Sequence, residues 1–131
     1  MIGLDTNVLV RYVMQDDPKQ SPKATKLIES LTADAPGFVS LVAVIEFGWV
    51  LASCYDLNRD QVAQAIDGVL RTKELVVDRA VQVMQALRVY KASSADFADC
   101  LIERDAANAG CEKTVTFDAA AAKTAGMTLI A

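Results

Sequence analysis

The sequence predicts an α/β fold in which helices cover both faces of a parallel β-sheet. Short apolar segments of strand character alternate with longer segments whose apolar residues recur every three or four positions. A helix following each strand is the order that produces parallel strands. The 131 residues are 53% hydrophobic, which is enough for one sizeable core. We therefore predict a single domain over residues 1–131.

The first part of the chain contains three predicted strands and four predicted helices. The strands are "MIGL", which ends at Asp5, then "FVS" and "ELVVD". The first helix is "TNVLVRYVM", and the second is expected to begin at Ser21 with Pro22 at its first helical position. The third runs from about Leu41 to Tyr55 after Ser40 as cap, and the fourth follows a capping box at Asn58 and Gln61. The expected core-facing residues of the first two helices are Val8, Leu9, Tyr12, Val13, Ala24, Leu27, Ile28 and Leu31.

The second part predicts three helices and two strands. Asp78 is expected to cap a helix, and the next helix is entered at Ser93 or Ser94 and ended by Gly110. The strand "KTVTF" ends at Asp118, the helix "DAAAAKTAG" follows, and "MTLI" is the last strand. The predicted core face of the first of these helices consists of Ala80, Val83, Met84, Leu87 and Tyr90.

Charge and residue usage exclude several classes of protein. The 13 basic and 17 acidic residues leave a net charge of −4, so overall charge does not attract a nucleic acid or an anionic membrane. The absence of histidine excludes a Ser-His-Asp or Cys-His nucleophile. The three cysteines have no CxxC spacing, so each is expected to be a small buried residue in a reducing cytoplasm. The longest apolar run, 40–53, is too short to span a bilayer.

One carboxylate, Glu46, lies in the middle of that apolar run, "SLVAVIEFGWVLAS". No lysine or arginine lies within one or two helical turns, which excludes a local ion pair but not a distant partner such as Arg11 or Lys113. A buried, unpaired carboxylate is costly, so Glu46 is expected to find a cation or to serve a function.

Four further acids fall near strand ends or helix starts. Asp5 and Asp118 directly follow predicted strands, and Asp96 and Asp99 lie three residues apart at the start of one helix. Because binding sites of open parallel sheets form beyond the carboxyl ends of strands, these acids are candidates for one site. The alternative is that Asp5, Asp96 and Asp118 only cap helices, and that Asp99 only faces solvent.

Convergence of these carboxylates would require a cation. Two carboxylates about 5 Å apart repel by roughly 3 kcal/mol at an effective dielectric constant of 20, and several such pairs would offset much of a domain's stability. Hard oxygen ligands suit Mg²⁺ or Mn²⁺. A divalent ion held by carboxylates is typical of phosphodiester hydrolysis, and it would let an acidic protein engage a polyanion.

The sequence resembles the PIN domains of VapC-type toxin ribonucleases over the whole chain. The resemblance is carried by "LDTNVLVRYV", by Glu46 in "VAVIEFGWVL", by "ADFADCLIER" and by "GCEKTVTFD", in this order and spacing. It implies a three-layer α/β/α PIN-like fold with a central parallel sheet flanked by helices. It also implies an acidic pocket at the strand ends.

The resemblance assigns the site residue by residue. Asp5, Glu46, Asp99 and Asp118 match the four acids of the family, and Asp96 is an extra ligand or an orienting acid. All five are therefore candidate metal ligands, and the first four are the candidate catalytic residues. The polar residues expected to steady the carboxylates are Thr6, Asn7 and Thr116.

The resemblance also implies a function and partners. The implied activity is a Mg²⁺- or Mn²⁺-dependent endoribonuclease that cleaves an RNA such as tRNA or rRNA as the toxin of a toxin–antitoxin system. The implied partners are a cognate antitoxin, promoter DNA only through that antitoxin, and a second copy in a homodimer. Arg11, Lys19, Lys23 and Lys26 either contact phosphates or form a solvated helix face. The alternatives are a non-catalytic PIN-like binding module and a receiver-like phosphoacceptor domain.

Overall fold

The structure, a computed structural model, describes residues 1–130, and the chain forms two units that meet in sequence at Asp78. The N-terminal unit is Met1–Asp78, and the C-terminal unit begins at Arg79. Strands and helices follow one another in both units in the predicted order.

The N-terminal unit contains a three-stranded parallel sheet and four helices. Its elements are β1 (Ile2–Gly3), α1 (Thr6–Met14), α2 (Gln20–Glu29), β2 (Gly37–Val39), α3 (Leu41–Cys54), α4 (Arg59–Arg71) and β3 (Leu75–Val77). The strand order is β1-β2-β3, so β2 is central and Val39 is fully buried. The predicted parallel direction is confirmed for both strand pairs.

Hydrogen bonds at the carboxyl end of this sheet determine where the chain leaves it. The Leu4 N–H donates to the Phe38 carbonyl at 2.9 Å, and the Asp78 N–H donates to the Val39 carbonyl at 2.9 Å. The pairing of Gly3 with Phe38 puts Asp5 two residues further on, level with Ser40. Asp5 is therefore the first residue past the ladder at the edge where α3 also starts.

Gly37 is the first residue of β2, one position before the predicted strand "FVS". A Cβ atom at this position would lie 2.9 Å from Leu4 Cδ1 and 3.0 Å from Leu31 Cδ1. Glycine is therefore selected by close packing within the N-terminal unit.

The C-terminal unit contains a helix pair and a short two-stranded parallel sheet. Its elements are α5 (Ala80–Ala92), α6 (Phe97–Asn108), β4 (Val115–Thr116), α7 (Ala119–Thr124) and β5 (Thr128–Leu129). The Tyr90 and Phe97 rings of α5 and α6 meet edge to face, with centroids 5.7 Å apart and an interplanar angle of 87°. The predicted strand "KTVTF" is shortened to Val115–Thr116.

Three predicted helix starts differ from the structure. Helix α2 begins at Gln20, because Asp17 Oδ1 accepts from the Lys19 and Gln20 N–H groups at 2.9 and 2.7 Å. The expected cap Ser21 is instead buried inside the helix. The residue before α5 is Arg79 in a left-handed conformation, not Asp78, and the cap of α6 is Asp96 rather than either of the predicted serines.

The predicted core faces of α1 and α5 are correct only in part. Helix α1 buries Leu9 as expected, but it turns Val10 inward and leaves Val13 36% exposed. In α5 the expected Met84 is 45% exposed, and Ala86 is buried instead.

Cys100 is buried as predicted, but Cys54 and Cys111 are exposed, so the expectation that all three are core residues was wrong. Within residues 1–130, every helix is too short or too polar to cross a membrane.

Candidate active site

Asp5 caps helix α1 at the point where β1 ends. Its backbone is extended, and its Oδ1 accepts from the Thr6 N–H at 2.8 Å. Thr6 is buried, whereas Asp5 and Asn7 are exposed. The second oxygen, Asp5 Oδ2, accepts no hydrogen bond from the described residues. Asp5 therefore caps α1, and the cap leaves one oxygen of its carboxylate available.

Glu46 lies on the exposed face of α3, which corrects the expectation that its carboxylate is enclosed by apolar neighbours. The helix is capped by Ser40, whose Oγ accepts from the Ala43 N–H at 3.1 Å. Its buried stripe is Ala43, Val44, Phe47, Gly48 and Leu51. Glu46 lies opposite this stripe, on the side that carries Val42 (75% exposed) and Trp49 (63% exposed). Water can therefore solvate Glu46, and burial is not the reason for its presence.

Arg11, one of the distant partners considered for Glu46, pairs with a different carboxylate. Arg11 forms an ion pair with Asp16, with Nη1 3.2 Å from Oδ1. The same nitrogen donates to Tyr55 Oη at 3.0 Å, and Tyr55 Oη donates to Asp16 Oδ2 at 2.7 Å. These hydrogen bonds lower the pKa of Asp16, with the bond from Tyr55 as the largest cause. Sequence reasoning missed this network, although Asp16 follows Arg11 by only five residues.

Asp96 and Asp99 lie at the start of α6. Asp96 is its cap, and its Oδ1 accepts from the Ala98 N–H at 2.8 Å. Asp99 follows in the first turn and is partly buried. The predicted spacing of three residues therefore places both carboxylates at the same helix end.

Asp118, which follows β4, is also the cap of a helix. Its Oδ1 accepts from the N–H groups of Ala120 and Ala121 at 2.8 and 3.3 Å, so it caps α7. Its own N–H donates to Thr116 Oγ1 at 3.0 Å. This bond fixes the turn between the strand and Asp118, and it is the contact through which Thr116 would steady that carboxylate.

Electrostatics couple the three acids of the C-terminal unit. The pKa of Asp99 is raised, first by partial burial and then by the negative charges of Asp96 and Asp118. The ion pairs found in this unit join Arg79 to Asp105 and Arg104 to Glu103, so none of them compensates the three acids. The C-terminal unit therefore concentrates uncompensated negative charge around Asp99.

Neither unit, within residues 1–130, contains three or more acidic or cysteine side chains placed closely enough to hold a metal ion. Asp5 and Glu46 belong to the N-terminal unit, and Asp96, Asp99 and Asp118 belong to the C-terminal unit. The strand register adds an acid that sequence reasoning used only as a helix cap. Asp78 leaves β3 level with Ser40, about two strand spacings, or roughly 10 Å, from Asp5.

The residues present nevertheless fit a hard divalent cation. All are carboxylates, the ligand type that Mg²⁺ and Mn²⁺ prefer. In the three capping aspartates Oδ2 accepts no hydrogen bond from the described residues, while Oδ1 is engaged by backbone N–H groups. The pKa of Asp99 is raised first by burial and then by the charges of Asp96 and Asp118, and a bound cation would offset that repulsion.

Parallel strands alternating with helices define an α/β domain, and several of its candidate acids stand at helix starts. A family model described as the PIN domain matches residues 2–127. The chain therefore belongs to the PIN-domain family, and the predicted three-layer α/β/α fold class is confirmed. PIN domains are generally nucleases and typically use a divalent metal. No curated protein matches the chain.

Proposed function

We propose that this chain is a Mg²⁺- or Mn²⁺-dependent endoribonuclease and the toxin of a toxin–antitoxin system. Membership of the PIN-domain family supports a nuclease. It also argues against the receiver-like phosphoacceptor alternative. The resemblance of "LDTNVLVRYV" and "ADFADCLIER" to VapC-type toxins supports the narrower assignment.

The observation that carries the proposal is the shared geometry of three aspartates. Asp5, Asp96 and Asp118 each stand at a helix N-terminus with Oδ1 bonded to backbone N–H groups. A carboxylate held in this way loses little side-chain entropy when its other oxygen binds an ion. The capping and ligand roles are therefore compatible, although the sequence presented them as alternatives.

The proposed roles follow the resemblance. Asp5, Glu46 and Asp99 would hold the main ion, and Asp118, with Asp96 nearby, would support a second ion or its waters. When bound, the metal supplies an activated water and neutralises charge on the phosphate. The chain itself supplies oriented carboxylates, and Thr116 holds the turn that presents Asp118.

The proposed partners are those of a toxin. The substrate is a structured RNA such as tRNA or rRNA, and a cognate antitoxin blocks the acidic site. Promoter DNA is bound only through the antitoxin, the chain forms a homodimer, and the protein acts in the cytoplasm.

A cleavage assay tests the catalytic proposal. Purified protein, an Asp99→Asn variant and an Asp105→Asn control are incubated with RNA and Mg²⁺. Asp105 lies on the same helix but pairs with Arg79, so its variant removes an equal charge away from the candidate site. We expect Asp99→Asn to lose about 100-fold or more in rate and Asp105→Asn to remain active. Full activity of Asp99→Asn would contradict the assignment.

A cellular assay tests the toxin proposal. We expect expression without antitoxin to arrest growth and to create new RNA ends that sequencing can map. The Asp5→Asn variant should do neither, although asparagine still caps α1. RNA binding without any cleavage by the wild type would favour the non-catalytic binding module.

A further inference from the structure

A groove between α1 and α2 is not used by the proposed catalytic residues. Its volume is about 240 Å³, and the side chains that line it are Asn7, Val8, Arg11, Gln20, Lys23, Ala24 and Leu27. The floor is apolar and the rim carries two cations and two amides, with no carboxylate among the lining residues. In a unit with more acidic than basic residues, such a groove favours an anionic ligand with an apolar part.

Arg11 is oriented at this groove by hydrogen bonds to three side chains. Its Nε donates to Gln20 Oε1 at 2.8 Å, and its Nη1 is fixed by Asp16 and Tyr55. Its Nη2 makes no hydrogen bond to a described residue. A guanidinium fixed on one side presents its other donors without further ordering, which suits a phosphate oxygen.

Lys23 supplies a positive charge that no ion pair within residues 1–130 offsets. Its side chain is exposed, and it forms no ion pair with a carboxylate of residues 1–130. Lys19 and Lys26 lie four residues before it and three after it along α2, so the helix adds positive charge beside the groove. Asp16 offsets the charge of Arg11, so Lys23 should contribute most of the salt-dependent attraction.

We infer that the groove binds one nucleotide of the RNA strand, with its phosphate between Arg11 and Lys23 and its sugar or base against Val8 and Leu27. The inference rests on the proposed ribonuclease function and adds a substrate-positioning subsite to it. The groove volume is below the roughly 300–1,000 Å³ of a complete small-molecule pocket, which suits one unit of a longer ligand.

The position of the groove fits this role. Asn7 lies two residues after Asp5, so the groove begins within the first turn of the helix that Asp5 caps. Arg11 is six residues from Asp5, or about 9 Å along the axis. A strand rising about 3.4 Å per nucleotide would cover that distance in about three nucleotides. The subsite would therefore select where the RNA lies relative to Asp5.

The experiment measures RNA binding without divalent ions, so that cleavage does not contribute. A fluorescent single-stranded RNA oligonucleotide of mixed sequence is titrated with wild type, Lys23→Gln and Lys73→Gln between 50 and 200 mM KCl. Lys73 is an exposed lysine of the same unit that does not line the groove, so its variant is the matched charge control.

We expect Lys23→Gln to weaken binding about fivefold at 50 mM KCl and to reduce the slope of log affinity against log salt by about 0.7. Lys73→Gln should leave both unchanged. Equal RNA binding and equal salt slopes of the two variants would overturn the inference. This holds even if Lys23→Gln weakened the binding of a protein such as the proposed antitoxin.

A second measurement separates failure of the subsite from failure of the nuclease. Lys23→Gln should lower kcat/KM for RNA cleavage about fivefold and leave Mn²⁺ binding unchanged. If the wild type does not cleave RNA but the salt slope still falls in Lys23→Gln, the subsite stands and the nuclease fails. If cleavage is normal and the slope is unchanged, only the subsite fails.

Discussion

Two aspartates, one in each unit, show opposite responses of the same side chain to its surroundings. In the N-terminal unit the pKa of Asp16 is lowered, because Tyr55 donates a hydrogen bond to it and Arg11 pairs with it. In the C-terminal unit the pKa of Asp99 is raised, because burial disfavours its charge and Asp96 and Asp118 repel it. One carboxylate is stabilised by its neighbours, and the other is destabilised by them.

The difference separates structural acids from candidate ligands. Asp16 links the end of α1 to Tyr55 at the end of α3, so its charge contributes to folding. Asp99 gains nothing from its neighbours in the folded chain, so folding alone does not explain its position. Uncompensated charge at a helix start is what a cation site requires before the cation binds.

The largest expected effect is stabilisation by a metal ion. At a Mn²⁺ concentration 100 times its Kd, we expect the free energy of unfolding to rise by about 2.7 kcal/mol, or about 8 °C in Tm. The rise should be absent in Asp99→Asn and retained in Asp16→Asn, because only Asp99 is proposed to bind the ion. Differential scanning calorimetry with and without Mn²⁺ measures both. An equal rise in all three proteins would remove Asp99 from the ligand set.

The next largest effect distinguishes the contribution of the Asp96 capping hydrogen bond from that of its charge. Asp96→Ala removes the hydrogen bond to the Ala98 N–H and should lower the free energy of unfolding by about 1 kcal/mol without metal. Asp96→Ser keeps a capping oxygen but removes the charge, so it should cost much less. Urea denaturation of the two variants measures the difference. If both lose the same stability, the cap contributes nothing at this helix.

The sequence predicts several of the helix caps, because a helix start depends on a few adjacent residues. Ser40, and Asn58 with Gln61, cap their helices as expected. Asp5 and Asp118 also lie where the apolar strand ends, which alternation of strand and helix is enough to predict. Fold class and the placement of the acids at helix starts follow from such local signals.

Features that depend on distant contacts were harder to predict. Helix α3 is apolar on nearly all sides, so periodicity could not show that Glu46 and Trp49 face solvent while Phe47 is buried. The hydrogen bond between Arg11 and Tyr55 could not be predicted, because the two residues are 44 positions apart. Whether the five predicted ligands converge stays a prediction.

A smaller effect follows from the raised pKa of Asp99. Between the ordinary pKa of 3.8 and the raised value, the folded state binds more protons than the unfolded state, so stability falls as pH rises through this window. Asp99→Asn removes this loss and should be more stable than the wild type at pH 7 by about 0.5 kcal/mol in EDTA. The difference should vanish below about pH 3.8. Urea denaturation across pH 3–7 measures it, and a less stable variant at pH 7 would contradict the assigned repulsion.

The smallest expected effect tests the other aspartate and has the opposite sign. The lowered pKa of Asp16 contributes stability above pH 3.8 that is lost as the pH falls through the folded value. Tyr55→Phe removes the largest cause of that shift and should lower Tm by about 2 °C at pH 7. The loss of stability in Tyr55→Phe should shrink in acid. The gain of stability in Asp99→Asn should also shrink in acid, so the two variants should approach the wild type from opposite directions. A Tyr55→Phe loss that persists unchanged after Asp16 is protonated in acid would mean that the hydroxyl stabilises the fold through its bond with Arg11 and not through its bond to Asp16.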